Sequence, residues 1–525
     1  MKNAIVGYTG LVGSNLLQFY KFDNFYNSKN FHEAKNKSFD TLFFCGIPAV
    51  KWFANKNPQK DSDVIEQIKS ILDTINVKKI ILISTIDVYN ITDDCSDEDC
   101  QINPEFNHTY GKNRFLFEEY IKTKFEDYHI VRLPALFGKG LKKNIIYDLI
   151  NNNNVSDIPA NSSFQWYYLD WLKNDIDTIL NNNIKICNLF TEPIHTRKII
   201  EAYSDVYDNN YDLSYENPFR QYNLCTKHHK IFGESINYIR NEKQVMESIY
   251  EFLEFQKLDK SKLCVSNICV NDISQLQFAS ILKLFGIRNV QIAPTKIINS
   301  WDDLKSIDFD VYKNFDLNVY SFQSITYTLN DLNIFNSETR KGLYNHLINV
   351  IDCAEKNGVK ILVFGCPRNR KILNFDDDNE SVFVNFFKDV GKYLNDKNVK
   401  ICIENNSKQY NCNFINKISE CSDIVRKIDN ENIKMMVDIG NAIMEKDNID
   451  NLKGDMDIIC NVDISNPNME DFIKPHESNE KFKSVIDNLN YENILNLEIL
   501  IKNQNELEVL QKSLSNFVKI YSIEK

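Results

Sequence analysis

Apolar and polar positions change rhythm twice along the 525 residues. In the first 150, short β-branched and aromatic runs alternate with helix-length segments: "NAIVGY" (3–8), "FDTLFFCGI" (39–47), "KKIILISTIDVY" (78–89) and "YHIVRLPALFG" (128–138). Strands spaced in this way imply βαβ units and a parallel sheet, with "NFYNSKN" (24–30) as the second strand. The regularity fades between Asn151 and about Leu253. There the polar run Asn151 to Asn154 predicts an exposed loop, and "FQWYYLDWLKNDIDTIL" (164–180) predicts a helix covering apolar surface. The charged, turn-like "LDKSK" (258–262) predicts a boundary between two domains, 1–257 and 258–525.

A second series of strand-like runs follows. They begin at 262 ("KLCVSNI"), 289 ("NVQIAP"), 317 ("LNVYSFQSI"), 359 ("VKILVFGCP"), 399 ("VKICIENN"), 433 ("IKMMVDIGN"), 458 ("IICNVDISN") and 493 ("NILNLEILI"). Helical segments fill most gaps, among them "ISQLQFASILKLFG" (273–286) and "SETRKGLYNHLINVIDCAEKNG" (337–358), the second closing on a C-terminal Gly. Eight βα units in about 260 residues have the size and order of a (β/α)8 TIM barrel. The expected fold class is therefore α/β: a Rossmann-type doubly wound parallel sheet followed by a (β/α)8 barrel.

In such a barrel, chemistry gathers at the C-terminal strand ends. The last four strands each carry an acid there: Glu404, Asp438, Asp463 and Glu498, separated by 34, 25 and 35 residues, about one βα unit each. Desolvated carboxylates at one mouth repel, which raises their proton affinity unless a cation neutralises them. A divalent ion held through oxygens is the simplest remedy, with Mg2+ or Mn2+ favoured over Zn2+ because soft ligands are few. The competing reading has each acid capping the following helix or pairing with a lysine.

Composition narrows the partners. The chain is 43% hydrophobic and carries a formal charge of −12, so it has no global basic surface for nucleic acid. Thirteen cysteines lack a repeated Cys-x-x-Cys spacing and many sit in apolar runs, such as Cys45 and Cys402. They read as reduced core thiols. No apolar run approaches the roughly 18 residues of a membrane span, and the expected location is cytoplasmic.

The segments "KICIENN", "KMMVDIGN", "CNVDISNP" and "ILNLEIL", with "VYSFQSI", "GVKILVFGCPRNR" and "KPHESNEKF", resemble the xylose isomerase-like sugar phosphate isomerase and epimerase barrels. The resemblance spans nearly all of 262–525. It implies a metal held by Glu, Asp, His and Glu, onto which Glu404, Asp438 and Glu498 map; Asp463 stands where the family usually has His. It also implies proton transfer alpha to a carbonyl, with Glu404 and Glu498 as proton carriers and His476 hydrogen-bonding the sugar. The loop "CPRNRK", with Arg368, Arg370 and Lys371, is placed to meet a phosphate. Endonuclease IV-type relatives of the same barrel need a histidine-rich zinc site. This chain has eight His, and no barrel strand ends in one.

At the other end, Gly7-Tyr8-Thr9-Gly10-Leu11-Val12-Gly13 follows a strand and opens a helix, the order of a dinucleotide turn. With "ILISTIDVY", "HTYGKNR" and "VRLPALFG", it resembles the extended short-chain dehydrogenase/reductase family over about residues 1–255. The resemblance implies NAD or NADP on Gly7, Thr9, Gly10, Leu11, Val12, Gly13 and Asn27, and catalysis by Thr85 and Tyr110. Arg114 occupies the place of the family's lysine, and its planar fork is not an ammonium point. Asn27 or Ser28 stands where an acid would bind the adenosine ribose.

Together these readings describe a two-domain sugar-processing enzyme: a metal-dependent sugar or sugar phosphate isomerase/epimerase fused to an NAD(P)-dependent dehydrogenase/epimerase-like domain. The alternative is a single-activity barrel whose N-terminal domain is catalytically idle. The expected partners are a sugar, sugar phosphate or nucleotide sugar, not nucleic acid or membrane, with a homo-oligomer among the allowed assemblies.

Overall fold

The computed structural model describes residues 2–90, 95–211, 219–233, 236–449, 452–502 and 505–524. The chain forms two compact units, Met1–Lys257 and Leu258–Lys525.

In the first unit, β1 (Asn3–Val6), β2 (Asn24–Tyr26), β3 (Ser38–Phe44), β4 (Asn76–Thr85), β5 (Tyr128–Leu133) and β6 (Ile186–Asn188) form a parallel sheet. Its order is β2-β1-β3-β4-β5-β6. Successive strand residues face opposite sides, and both sides are apolar. Ala4, Leu42, Ile80 and Ile130 pack with Ile65, Leu72 and Phe117 of the helices Pro58–Leu72 and Thr109–Lys124. Ile5, Phe43, Ile81 and Val131 pack against Leu16, Leu172 and Ile176 on the other side. This two-sided burial is why the strands read as continuous apolar runs. Only a 3-10 turn, Phe31–Ala34, intervenes between β2 and β3. No third edge strand forms there, and the order departs from the 3-2-1-4-5-6 of dinucleotide folds.

The segment 164–180 differs from its expected helix. Trp166–Tyr168 is a buried strand beside Ala135–Phe137, and the helix spans only Leu172–Asn181. Three consecutive aromatics fit a pleated surface better than a helix face, and the Phe137 and Tyr168 rings stack with centroids 5.0 Å apart. Asn151 to Asn154 are exposed, and Asn152 and Asn154 turn the chain at φ 49° and 47°.

The second unit is a closed parallel barrel of eight strands. They are β7 (Leu263–Ser266), β8 (Asn289–Ile292), β9 (Asn318–Phe322), β10 (Ile361–Phe364), β11 (Lys400–Glu404), β12 (Ile433–Asp438), β13 (Ile459–Ile464) and β14 (Leu495–Leu497). Each lies within one of the eight expected runs. Cys402 corrects the expectation of reduced thiols: it is disulfide-bonded to Cys460, 58 residues away, whereas Cys45 is free. Barrel closure brings the two thiols together inside, beside Ile361, Val363 and Met436.

Candidate functional site

In the first unit the glycine turn sits where the strand order reverses, between β1 and β3. Gly7 adopts φ 89°, and a Cβ there would strike the Cys45 carbonyl at the end of β3. The Gly7 N–H donates to the Tyr26 carbonyl (2.7 Å) and the Gly10 N–H to the Gly7 carbonyl (2.9 Å). The following helix is shorter than expected, Leu11–Leu16. Its first turn presents the N–H groups of Leu11, Val12 and Gly13, which have no partner within the helix. The Asn27 amide donates to the Tyr8 hydroxyl (3.2 Å), joining the end of β2 to the turn.

Thr85 ends β4, and its hydroxyl accepts the Asp87 N–H (3.2 Å). Tyr110 lies in the first turn of the helix Thr109–Lys124, buried, with the Arg114 guanidinium 3.9 Å from its ring centroid. Burial raises the phenol's pKa, and this outweighs Arg114 and a hydrogen bond from Thr85, both of which favour the phenolate. Arg114 is itself ion-paired to buried Asp61 and donates to the Pro48 carbonyl. Nearby, Lys51 Nζ reaches Asp87 Oδ1 (2.6 Å) and the Tyr222 hydroxyl (3.2 Å). Burial favours protonated Asp87, but bonds to His108 and Lys51 hold its carboxyl below the usual range. Lys51, Asp61, Asp87 and Tyr222 were not among the residues marked by sequence; no motif joins positions so far apart.

At the barrel mouth, Glu404 and Asp438 end β11 and β12, Asp463 is next to last in β13, and Glu498 follows β14. Asp438 and Asp463 are direct neighbours in the strand register. All four are buried, and most of their donors are amides. Asn406 (2.7 Å) and Asn441 (3.1 Å) donate to Glu404 Oε1, and Gln323 (2.6 Å) to Glu498 Oε1. Asn461 and Asn496 both donate to Asp463 Oδ1 at 3.0 Å. Asp438 Oδ1 accepts the Asn441 N–H (2.7 Å) and the Ser465 hydroxyl (3.0 Å), so this acid does cap the next helix, Ile439–Met444.

Proton affinity rises throughout the group. Burial, then the charges of Asp438 and Asp463, push Glu404 well above the carboxylate range. Burial, then Asp463, Asp438 and Glu404, do the same to Glu498. Burial lifts Asp438 to about 6 against its hydrogen bonds, and burial with the Asp438 charge lifts Asp463 to about 7.

Residues 310–519 match the family model described as xylose isomerase-like TIM barrel. The C-terminal unit is a xylose isomerase-like barrel. No curated protein matches the chain. Solved structures similar to parts of it include 3-keto-D-glucoside 4-epimerase from E. coli: 14% identity, 50% of this chain and 99% of that chain, TM-score 0.41. D-allulose 3-epimerase from Methylomonas sp. is 13% identical over 50% and 98%, with TM-score 0.40. UDP-N-acetylglucosamine 4-epimerase from Methanobrevibacter ruminantium M1 is 15% identical over 48% and 97%, with TM-score 0.38.

In this xylose isomerase-like barrel the four acids expected to hold a metal, Glu404, Asp438, Asp463 and Glu498, are buried at the C-terminal ends of consecutive strands. Among the described residues, no three His, Cys, Asp or Glu side chains are grouped to hold an ion. The amide and hydroxyl donors above engage one oxygen of every carboxylate. His476 caps the helix Glu477–Asn488, its Nδ1 accepting the Ser478 N–H (3.2 Å). The asparagines and Gln323 are the residues sequence reading missed.

Proposed function

We propose that the barrel is a sugar isomerase or epimerase that moves a proton alpha to a carbonyl. The observation that carries this reading is the set of four buried carboxylates closing four consecutive strands, each with raised proton affinity. Glu404 and Glu498 are the proton carriers. The ionised one removes the proton from the carbon beside the carbonyl; the C–H electrons form the enediol double bond, and the protonated one delivers its proton to the carbonyl oxygen. Reversal on the other carbon or face completes isomerisation or epimerisation. Asn406, Asn441 and Gln323 orient the two carboxylates, and His476 stands at the rim to hydrogen-bond the sugar.

The N-terminal unit is an NAD(P)-binding domain of extended short-chain dehydrogenase/reductase type. Gly7, Thr9, Gly10, Leu11, Val12 and Gly13 hold the pyrophosphate and Asn27 faces the ribose. A bound nicotinamide supplies hydride transfer, for which Thr85 and Tyr110 would orient the substrate hydroxyl and move its proton. Two observations favour the second reading, a binding domain idle in hydride chemistry: Arg114 is spent on Asp61, and burial holds the Tyr110 proton.

A panel of sugars incubated in deuterated buffer tests the first reading. Label incorporation at the carbon next to the carbonyl, lost in Glu498→Gln, supports it; unchanged incorporation in that variant overturns it. Fluorescence titration with NADH and NADPH tests the N-terminal unit, where absence of binding by both refutes dinucleotide use.

A further inference from the structure

The loop after β10 carries three cations, none of them in a close ion pair among the described residues, in a chain of net charge −12. Arg368 Nη1 donates to Asn330 Oδ1 (3.0 Å), Arg370 Nη2 to Asn406 Oδ1 (2.8 Å) and Lys371 Nζ to Asn411 Oδ1 (2.9 Å). Each cation is thus held by a neutral amide oxygen, and Arg370 also exerts its charge on the nearby Glu404 carboxylate. Arg370 is fully buried, and its Nε and Nη1 have no acceptor. A buried guanidinium left with two unmade hydrogen bonds is costly unless a ligand completes it. Asn406, which holds Arg370, also donates to Glu404, so the cation is one side chain away from a proposed proton carrier.

The loop is held rigidly. Asn369 Nδ2 donates to the Leu329 and Leu332 carbonyls, and Asn333 Nδ2 to those of Arg368 and Lys371. On the other flank the Ile372 N–H donates to Asn413 Oδ1 (2.8 Å). Such anchoring removes much of the ordering entropy that binding would otherwise cost.

Apolar side chains flank the same cations. Among the described residues of the barrel unit, the large apolar residues standing exposed are Tyr327 (64%), Leu373 (59%), Phe375 (72%), Ile473 and Ile523. Three of the five adjoin this loop: Leu373 and Phe375 continue it, and Tyr327 follows Thr326, whose hydroxyl donates to Asn369 (2.6 Å). A base stacked next to a diphosphate would use the exposed aromatic faces and the cations together.

We propose that the barrel's substrate is a sugar carried on a nucleoside diphosphate, with the phosphates on Arg368, Arg370 and Lys371, the base against Tyr327 and Phe375, and the sugar toward Glu404 and Glu498. This rests on the proton-transfer reading and adds its substrate class.

Isothermal titration of the full chain with UDP and with inorganic phosphate, in the presence of saturating NADH, tests it. UDP binds at least about tenfold tighter than phosphate. Arg368→Gln with Lys371→Gln, both on the accessible side of the loop, weakens UDP about tenfold or more. Tyr327→Ala with Phe375→Ala weakens UDP and leaves phosphate unchanged. UDP binding no tighter than phosphate, or unaffected by both double variants, overturns the proposal; a nucleotide held by the N-terminal unit gives the latter result. Deuterium exchange into free sugars that is unchanged in the Arg368/Lys371 variant overturns the substrate class while leaving the proton-transfer reading intact. Localised UDP binding without exchange into any UDP-sugar or free sugar overturns proton transfer alone.

Discussion

Asp438→Asn should stabilise the barrel at neutral and alkaline pH and do nothing in acid. The carboxylate's pKa rises from 3.8 to about 6, burial being the largest cause. At about 1.4 kcal/mol per pH unit, keeping it ionised in the folded state costs about 3 kcal/mol. The sign follows from a folded pKa above the unfolded one: protonated Asp438 adds stability below about pH 4, and that contribution is lost as pH rises through 6. Asparagine removes the charge but keeps an oxygen to accept the Asn441 N–H and the Ser465 hydroxyl, so the helix cap survives. Native-state hydrogen exchange on peptides covering β11, β12 and β13, with chelator-treated protein, reads the barrel separately from the N-terminal unit. The variant's opening free energy should match wild type near pH 4 and exceed it by about 3 kcal/mol at pH 8. A gap of the opposite sign, or one independent of pH, would refute the account of crowded, desolvated carboxylates.

Other outcomes follow from single contacts. Asp61→Ala leaves Arg114 buried and unpaired, and should cost the N-terminal unit about 3–5 kcal/mol in urea unfolding. Tyr110→Phe should leave NADH fluorescence titrations unchanged while abolishing any hydride transfer the unit performs. Alkylation of denatured, unreduced protein should modify eleven of the thirteen cysteines by mass, sparing Cys402 and Cys460. Glu404→Gln should reduce solvent exchange into substrate by about 10²-fold or more, as expected for loss of a general base.

How much was legible in the sequence depended on the range of the interaction. Parallel strands buried on both faces are continuous apolar runs, so all eight barrel strands could be placed, and an acid ending each of the last four drew attention to one mouth. The amides that hold those acids carry no such signal. Asn461 meets Asp463 two positions along the same strand and Asn496 meets it from the facing position on β14, while Gln323 reaches Glu498 across 175 residues. The barrel's curvature across β12 pairs Cys402 with Cys460, against the expectation of free thiols. In the N-terminal unit, local chemistry marked the glycine turn and Tyr110, whereas Asp61 reaches Arg114 from another helix. At 166–168, propensity misled: an aromatic stretch with helical spacing found a strand partner in Ala135–Phe137.

The central claim is that the mouth's carboxylates move a proton at carbon. Deuterium uptake from solvent into the carbon beside the carbonyl, followed by mass spectrometry across free sugars, sugar phosphates and UDP-sugars, tests it most directly. The account predicts uptake with wild type on at least one substrate, without net redox, and none with Glu404→Gln or Glu498→Gln. No uptake on any substrate, or uptake that persists in both variants, would contradict it.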